Sequence, residues 1–292
     1  MKILVIGKNG QLGLSIYKII ESYSHNHKFT FIGRSDIDLS QKNSIYNYFK
    51  DRNFDVIINC AAYTAVDVAE SESELANLVN NKAVGFMAEI VNEMKSILIH
   101  ISTDYVFDGK NNNSYNEMDQ TNPINVYGKT KLLGENKIKS LMSENAIIIR
   151  TSWLYSHHGK NFVDSILKNA SKKKTLNVIN DQFGSPTYAN DLVEVILKII
   201  ESLASGKYNK KTQIYHFSNE GNSSWFDFAC EIVRLAKIDC TINPINSNQY
   251  PVVAKRPKNT SLNIEKITKE FDLDAKHWKT SLVNYMDLLN TN

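Results

Sequence analysis

Lys2-Ile-Leu-Val-Ile-Gly7-Lys-Asn-Gly10-Gln-Leu-Gly13 stands at the head of the chain, and its reading decides the fold. Lys2 to Ile6 is a continuous apolar run with no polar alternation, which predicts a strand buried on both faces. Three glycines follow it at once, and a helical pattern runs from Gln11 to about Ser22. A strand-to-helix turn needs one glycine. Three, spaced GxxGxxG, let the backbone turn tightly and bring N–H groups at a helix N-terminus close to a pyrophosphate. Gly7, Gly10, Gln11, Leu12 and Gly13 are therefore expected to bind a dinucleotide.

The same alternation continues downstream. Strands are predicted at Phe29 to Ile32, Asp55 to Asn59, Ser96 to Ile101 and Ala146 to Ile149. Helices are predicted at Ser44 to Phe49, Glu72 to Met94 and within Pro123 to Leu141. Apolar strands alternating with helices imply a parallel sheet covered on both faces, and right-handed crossovers make it doubly wound. The expected class is α/β, a Rossmann-like doubly wound parallel sheet with a smaller, interleaved C-terminal substrate-binding lobe. The second half predicts helices at Phe162 to Ala170, Asp191 to Ala204 and Trp225 to Lys237. It predicts strands at Thr175 to Ile179 and Gln213 to Phe217. Pro244, Pro251 and Pro257 mark 243–257 as an irregular surface stretch. The expected division is a dinucleotide-binding domain at 1–150 and a mainly substrate-binding lobe at 151–292, some of whose segments return to the first domain.

In an open parallel sheet, ligands gather at the carboxyl ends of the strands, so residues just past each strand are the candidates. After the second strand come Gly33 and Arg34. An arginine there can receive a ribose 2′-phosphate, which tilts the expectation toward NADPH; Asp36 and Asp38 nearby leave NADH open. Asp38 and Leu39 are placed near the adenine. After the third strand, Ala61, Ala62 and Tyr63 follow Cys60, and small side chains there admit an extended cofactor. After the fourth, the Thr103 hydroxyl can hydrogen-bond a substrate oxygen, whereas Ser102 is as well explained as a strand-end cap. Tyr127 and Lys131 stand four apart in a predicted helix, so phenol and ammonium share a face. A cation beside a phenol favours the phenolate, giving a proton donor usable near neutral pH.

Bulk composition excludes several classes. Among 292 residues, 34 are Lys or Arg and 31 Asp or Glu, a net charge of +3. That is too mild for a nucleic-acid partner. The three cysteines, Cys60, Cys230 and Cys240, show no zinc spacing and their odd number argues against a disulfide framework. No apolar run is long enough for a membrane span, and the first is too short for a signal peptide. A cytoplasmic location is expected. His157 and His158 are read as a polar loop, and Lys172 to Lys174 as a solvated run.

Taken together, Gly7 to Gly13, Thr103, Tyr127 and Lys131 resemble the extended short-chain dehydrogenase/reductases. The runs Asn59-Cys-Ala-Ala-Tyr-Thr-Ala-Val-Asp-Val-Ala-Glu70, Ser102-Thr-Asp-Tyr-Val-Phe-Asp-Gly109 and Asn125-Val-Tyr-Gly-Lys-Thr-Lys-Leu132 narrow the resemblance. So do Arg150-Thr-Ser-Trp-Leu-Tyr155, Asn161-Phe-Val163 and Asp181-Gln-Phe-Gly-Ser-Pro-Thr187. They are similar to the dTDP-4-dehydrorhamnose reductases over nearly the whole chain, less closely after Thr187, where Arg256-Pro257 and Ser261-Leu262 also fit. The resemblance implies reduction of the C4 ketone of dTDP-4-dehydro-6-deoxy-L-mannose by NADPH or NADH. It makes Tyr127 the proton donor, has Lys131 hold the nicotinamide ribose and tune Tyr127, and has Thr103 assist. Thr103 and Asp104 would meet the sugar, and Trp153 would pack on the nucleotide sugar. A homodimer is an assembly the resemblance allows. Some relatives join as dimers around a metal ion bound by an acidic residue early in the first helix. Here Leu14-Ser15-Ile16 stand there, with no carboxylate until Glu21, so no metal site is assigned and Mg2+ is left open. The rival expectations are another nucleotide-sugar reductase, an epimerase of the same fold, or a non-catalytic regulatory subunit of an S-adenosylmethionine synthase.

Overall fold

A computed structural model describes residues 1–22 and 26–290. In chain order the first half runs β1 (Lys2–Ile6), α1 (Gln11–Ser22), β2 (Lys28–Ile32), α2 (Lys42–Phe49), β3 (Val56–Asn59), α3 (Val66–Ala69) and α4 (Ser73–Asn77). A π-helical turn, Leu78–Lys82, leads into α5 (Ala83–Glu93), then β4 (Ile97–Thr103), a 3-10 turn at Asp104–Val106, α6 (Val126–Leu141) and β5 (Ala146–Thr151). The second half runs β6 (Leu154–Tyr155), α7 (Phe162–Ala170), β7 (Thr175–Ile179), β8 (Phe183–Gly184), β9 (Thr187–Tyr188), α8 (Ala189–Ala204) and β10 (Gln213–His216). It ends with β11 (Ser223–Ser224), α9 (Trp225–Leu235), β12 (Thr241–Ile245), α10 (Glu265–Phe271) and α11 (Trp278–Asn290).

Six strands form one parallel sheet in the order β10-β5-β4-β3-β1-β2. Successive side chains on a strand point to opposite faces, and both faces are apolar. Ile3, Val5, Val56, Ile58, Ile99, Ile147 and Ile149 pack with α1 and α8 in one core; Leu4, Ile6, Ile57, Leu98 and Ile148 pack with α2, α5 and α6 in the other. Each such side chain fully removed from water stabilises the fold by about 1.5–3 kcal/mol. A third core joins α7, α9 and α11 to β7 in the C-terminal lobe. The lobes interleave: β10 leaves the second half to pair with β5 in the main sheet, and α8 packs beside α1.

Three predicted features differ. The helix expected over Glu72 to Met94 is broken by the π turn at Leu78–Lys82. The stretch 243–257 is not irregular at its start: β12 pairs in parallel with β7, with Pro244 opposite Val178. A two-stranded sheet is all edge, so a proline without an N–H fits it. The pair His157-His158 is not a plain polar loop. His157 stacks on Tyr285 with centroids 4.1 Å apart, and its Nε2 lies 3.1 Å from the Tyr188 hydroxyl.

β1 leads to β2 on one side while its neighbour β3 leads to β4 on the other, so the two connections run in opposite directions. A crevice opens at the carboxyl ends where they part. The glycine turn lies there. Gly7 has φ +100°, and a Cβ on it would meet the Ala61 backbone N at 2.9 Å. A Cβ on Gly13 would come within 2.2 Å of the Gly7 carbonyl oxygen, so α1 could not pack so closely on the turn. Gly10 is different. Its Cβ would have only ordinary contacts, and its contribution is open backbone at the cleft.

Candidate active site

The crevice is a cleft of about 690 Å³, and it gathers nearly every residue singled out from the sequence. Gly7, Gly10, Gln11 and Leu12 line it from the turn; Arg34, Asp38 and Leu39 from the end of β2; Ala61, Ala62 and Tyr63 from the end of β3. Thr103, Asp104, Tyr127, Lys131 and Trp153 form the remaining wall. Gly13 does not line the cleft; its part is the close packing of α1 on the turn. Asp38 turns its carboxylate onto its own loop, accepting from the Ser40 N–H at 2.9 Å and the Ser40 hydroxyl at 2.7 Å. Arg34 is exposed at the cleft's edge, and Asp36 is occupied by Lys8 at 2.7 Å and the Gly33 N–H at 2.9 Å.

Asn125 caps α6 by accepting from the Gly128 N–H at 2.8 Å, and a Cβ on Gly128 would come within 2.1 Å of the Tyr105 carbonyl oxygen. Only a glycine lets this first turn lie so near the end of β4, and that contact brings the Tyr127 turn up to Thr103 and Asp104. The Thr103 hydroxyl donates to Asp104 Oδ1 at 2.9 Å and accepts from the Tyr105 N–H at 3.2 Å. Asp104 Oδ2 has no hydrogen-bond partner of good geometry, although the Thr260 hydroxyl is near enough to favour its charged form. Burial dominates at this side chain and pushes its carboxyl up to about 6.

The expected lowering of the Tyr127 phenol is not what the site shows. Enclosure of the hydroxyl pushes it up to about 12, with the Thr103 hydroxyl pulling the other way. The Lys131 ammonium, four residues on, donates instead to the Ile101 carbonyl at 2.7 Å. Burial brings Lys131 down to about 8, with Glu135 opposing. Below about pH 8 Tyr127 is therefore a neutral phenol that holds the proton it would donate, while Lys131 is charged.

Asp104 gives a pH prediction. Its folded pKa stands above the usual 3.8, so the folded state binds the proton more tightly and the group's stabilisation is full below about pH 4 and lost as pH rises through about 6. Asp104→Asn removes this dependence. Urea midpoints at about pH 4 and about pH 7 should fall less steeply with pH in the variant than in the parent; parallel changes would show that Asp104 is not the group.

The other parts of the site tie it to the C-terminal lobe. Gln11 donates to the Leu154 carbonyl at 3.4 Å and accepts from the Ser156 hydroxyl at 3.2 Å. Trp153 adopts φ +47°, and its ring stacks on Trp225 with centroids 3.4 Å apart. A Cβ on Gly184 would strike the Trp153 ring at 2.8 Å. Asp67 and Glu70, from the run after β3, are braces: Asp67 pairs with Arg256 at 2.6 Å, and Glu70 accepts from the Val126 N–H at 2.8 Å. Several residues of the site carried no sequence signal as such. Asn80, in the π turn, holds Tyr63 through both its N–H (2.8 Å) and its carbonyl (3.0 Å) and reaches the Thr130 hydroxyl at 3.2 Å. π turns of this kind often accompany functional sites. Ser102, weighed above as a strand-end cap, instead donates to buried Glu135, which pairs with Arg150 at 2.7 Å. Among the described residues, no group of three or more His, Cys, Asp or Glu is arranged to hold a metal ion. No helix among them is long and apolar enough to cross a membrane.

The family described as RmlD substrate binding domain matches residues 1–291. The chain belongs to this family. The dTDP-4-dehydrorhamnose reductase of Aggregatibacter actinomycetemcomitans is 37% identical to this RmlD-family chain over 289 residues, 97% of each chain. A crystal structure of the dTDP-4-dehydrorhamnose reductase of Clostridium acetobutylicum ATCC 824 superposes with a TM-score of 0.92 at 37% identity, covering 99% of this chain and 100% of that one. That of Bacillus anthracis str. Ames, in complex with NADP, gives 0.91 at 31% identity, covering 98% and 99%. The RmlD-family sheet order β2-β1-β3-β4-β5-β10 and the cleft at its switch point set the frame for the chemistry.

Proposed function

We propose that this RmlD-family protein reduces the C4 ketone of dTDP-4-dehydro-6-deoxy-L-mannose to give dTDP-L-rhamnose, with NADPH as the preferred donor and NADH as an alternative. The observation that carries the reading is the meeting of Thr103, Tyr127 and Lys131 in a cleft that the glycine turn also lines. The donor's nicotinamide supplies the hydride.

The protein's own groups supply the rest. Hydride addition builds negative charge on the ketone oxygen, and the Tyr127 hydroxyl donates its proton there. The Thr103 hydroxyl offers a second hydrogen bond to the same oxygen. The phenolate left on Tyr127 is stabilised by Lys131, which moves toward its charged form beside a negative neighbour. Asp104 Oδ2, buried and unpartnered, is suited to accept from a hexose hydroxyl. Trp153, braced on Trp225, offers its ring to the sugar nucleotide.

The test is turnover coupled to dTDP-4-dehydro-6-deoxy-L-mannose made in situ, followed by NADPH oxidation, with UDP and GDP analogues beside it. Oxidation with the dTDP sugar supports the reading; its absence with all three sinks it. Arg34 gives a sharper check on the donor. A charge-assisted contact to a phosphate is worth about 1.5–3 kcal/mol, so Arg34→Ala should raise the KM for NADPH by at least about tenfold and change that for NADH little. Equal changes would remove Arg34 from the choice of donor.

A further inference from the structure

Beneath the cleft floor Lys131 heads a buried polar row whose other members, Asn59 and His100, the proposed mechanism leaves unused. Asn59 ends β3 and His100 is its register partner on β4. Asn59 is 1% exposed, His100 0% and Lys131 1%. Asn59 lies 3.1 Å from His100 Nδ1, and His100 Nε2 lies 3.3 Å from Lys131 Nζ.

Hydrogen-bond logic assigns every proton in this row. The Ala61 N–H donates to Asn59 Oδ1 at 3.1 Å, so the carboxamide oxygen faces Ala61 and the NH2 faces His100. An NH2 can only donate, so His100 Nδ1 accepts. A neutral imidazole that accepts at Nδ1 carries its proton at Nε2. Full burial together with the neighbouring lysine keeps His100 neutral. Its Nε2–H is therefore aimed at Lys131 Nζ. A free amine meets that N–H with its lone pair; an ammonium, which has only donors, cannot. The other titratable groups that act on Nζ are Glu135 on α6 and Cys60 just past β3. Glu135 is held by Arg150, and burial pushes the Cys60 thiol up to about 12.

We propose that Asn59 and His100 are positioning residues for Lys131: the Ala61 N–H fixes the Asn59 amide, the amide fixes His100 as its Nε2–H tautomer, and that N–H offers a charged Lys131 no acceptor in the floor, leaving it the Ile101 carbonyl and the cleft. When Tyr127 gives up its proton, the ammonium is turned toward the phenolate and the cofactor ribose rather than into the floor. The row also couples Lys131 to the cofactor loop, because any movement of the Ala61 N–H releases the Asn59 amide. The inference rests on the catalytic reading of Lys131 given above, but its first test does not.

That test is a long-range 1H–15N spectrum of the whole protein labelled at histidine, with the His100 signals assigned by their loss in His100→Gln. The expected result is a neutral Nε2–H tautomer from about pH 6 to about pH 9. An Nδ1–H tautomer or an imidazolium overturns the proposal, whether or not the protein reduces any sugar. In Asn59→Asp a carboxylate faces Nδ1 and accepts from it, so the tautomer should reverse and Nε2 should accept from the ammonium. Turnover should then fall about tenfold, with the ionisation in its pH profile that reports Lys131 moving upward by about one unit. A reversed tautomer with an unchanged pH profile would also overturn the positioning role. If Asn59→Asp does not fold, the parent spectrum still decides.

Discussion

Replacing Tyr127 by phenylalanine is expected to lower turnover by about 10²–10⁴-fold, the range that a well-placed general acid contributes. The variant removes one oxygen and keeps the ring. The ring's edge-to-face contact with Tyr105, with centroids 5.8 Å apart, should survive. Lys131 keeps its bond to the Ile101 carbonyl, so NADPH should bind within about twofold of its parent affinity while chemistry fails. A fluorescence titration with NADPH, run beside the coupled assay, separates the two. Turnover near that of the parent would mean that another group, with the Thr103 hydroxyl foremost, delivers the proton. A pH profile adds a second reading. The phenol stands at about 12 and Lys131 at about 8, so the ionisation met first as pH rises from neutral belongs to Lys131.

The second large effect is on stability. Arg150→Met should destabilise the protein by about 3–5 kcal/mol, because it strands the Glu135 carboxylate in the interior. Arg150 is 2% exposed and Glu135 0%; the guanidinium meets the carboxylate through Nε at 2.9 Å and Nη2 at 2.7 Å. The same carboxylate accepts from the Ser102 hydroxyl, and Arg150 lies 5.1 Å from the centre of the Phe107 ring. At roughly 2–4 °C per kcal/mol for a chain of this size, the melting temperature should fall by about 10 °C. Urea unfolding checks the size of the loss; a loss below about 1 kcal/mol would show that the pair is solvated in practice. The double variant Glu135→Leu/Arg150→Met should recover much of the loss, since what costs most is a buried charge without its partner.

Much of this architecture is legible in the order of residues, for a reason that can be named. The strands of a doubly wound sheet are apolar throughout, and their glycine and hydroxyl residues fall just past them, so the first 150 residues display strand, turn and ligand edge in sequence. The C-terminal end does not. In α11 the buried Trp278, Leu282, Tyr285 and Met286 keep helical spacing, but Ser281 shares their buried side and Val283, Leu288 and Leu289 are exposed, which blurs the stripe. The division of labour between Tyr127 and Lys131 was only half readable. Spacing places them on one face, yet the direction of each shift depends on how deeply each is enclosed. His100 had a visible mark, a histidine between Ile99 and Ile101 inside a buried strand. Its meaning needed Asn59 and Lys131, which lie 41 and 31 residues away along the chain.

The position of β10 carries a consequence for synthesis. It covers the outer edge of β5 with Gln213 to His216 paired against Ile147 to Arg150. During translation, at about 5–20 residues per second, that edge waits several seconds for its neighbour, with its backbone N–H and C=O groups unpaired. A nascent chain halted after β5 would therefore be a sticky one, and ribosome-bound chaperones should hold it longest in that interval.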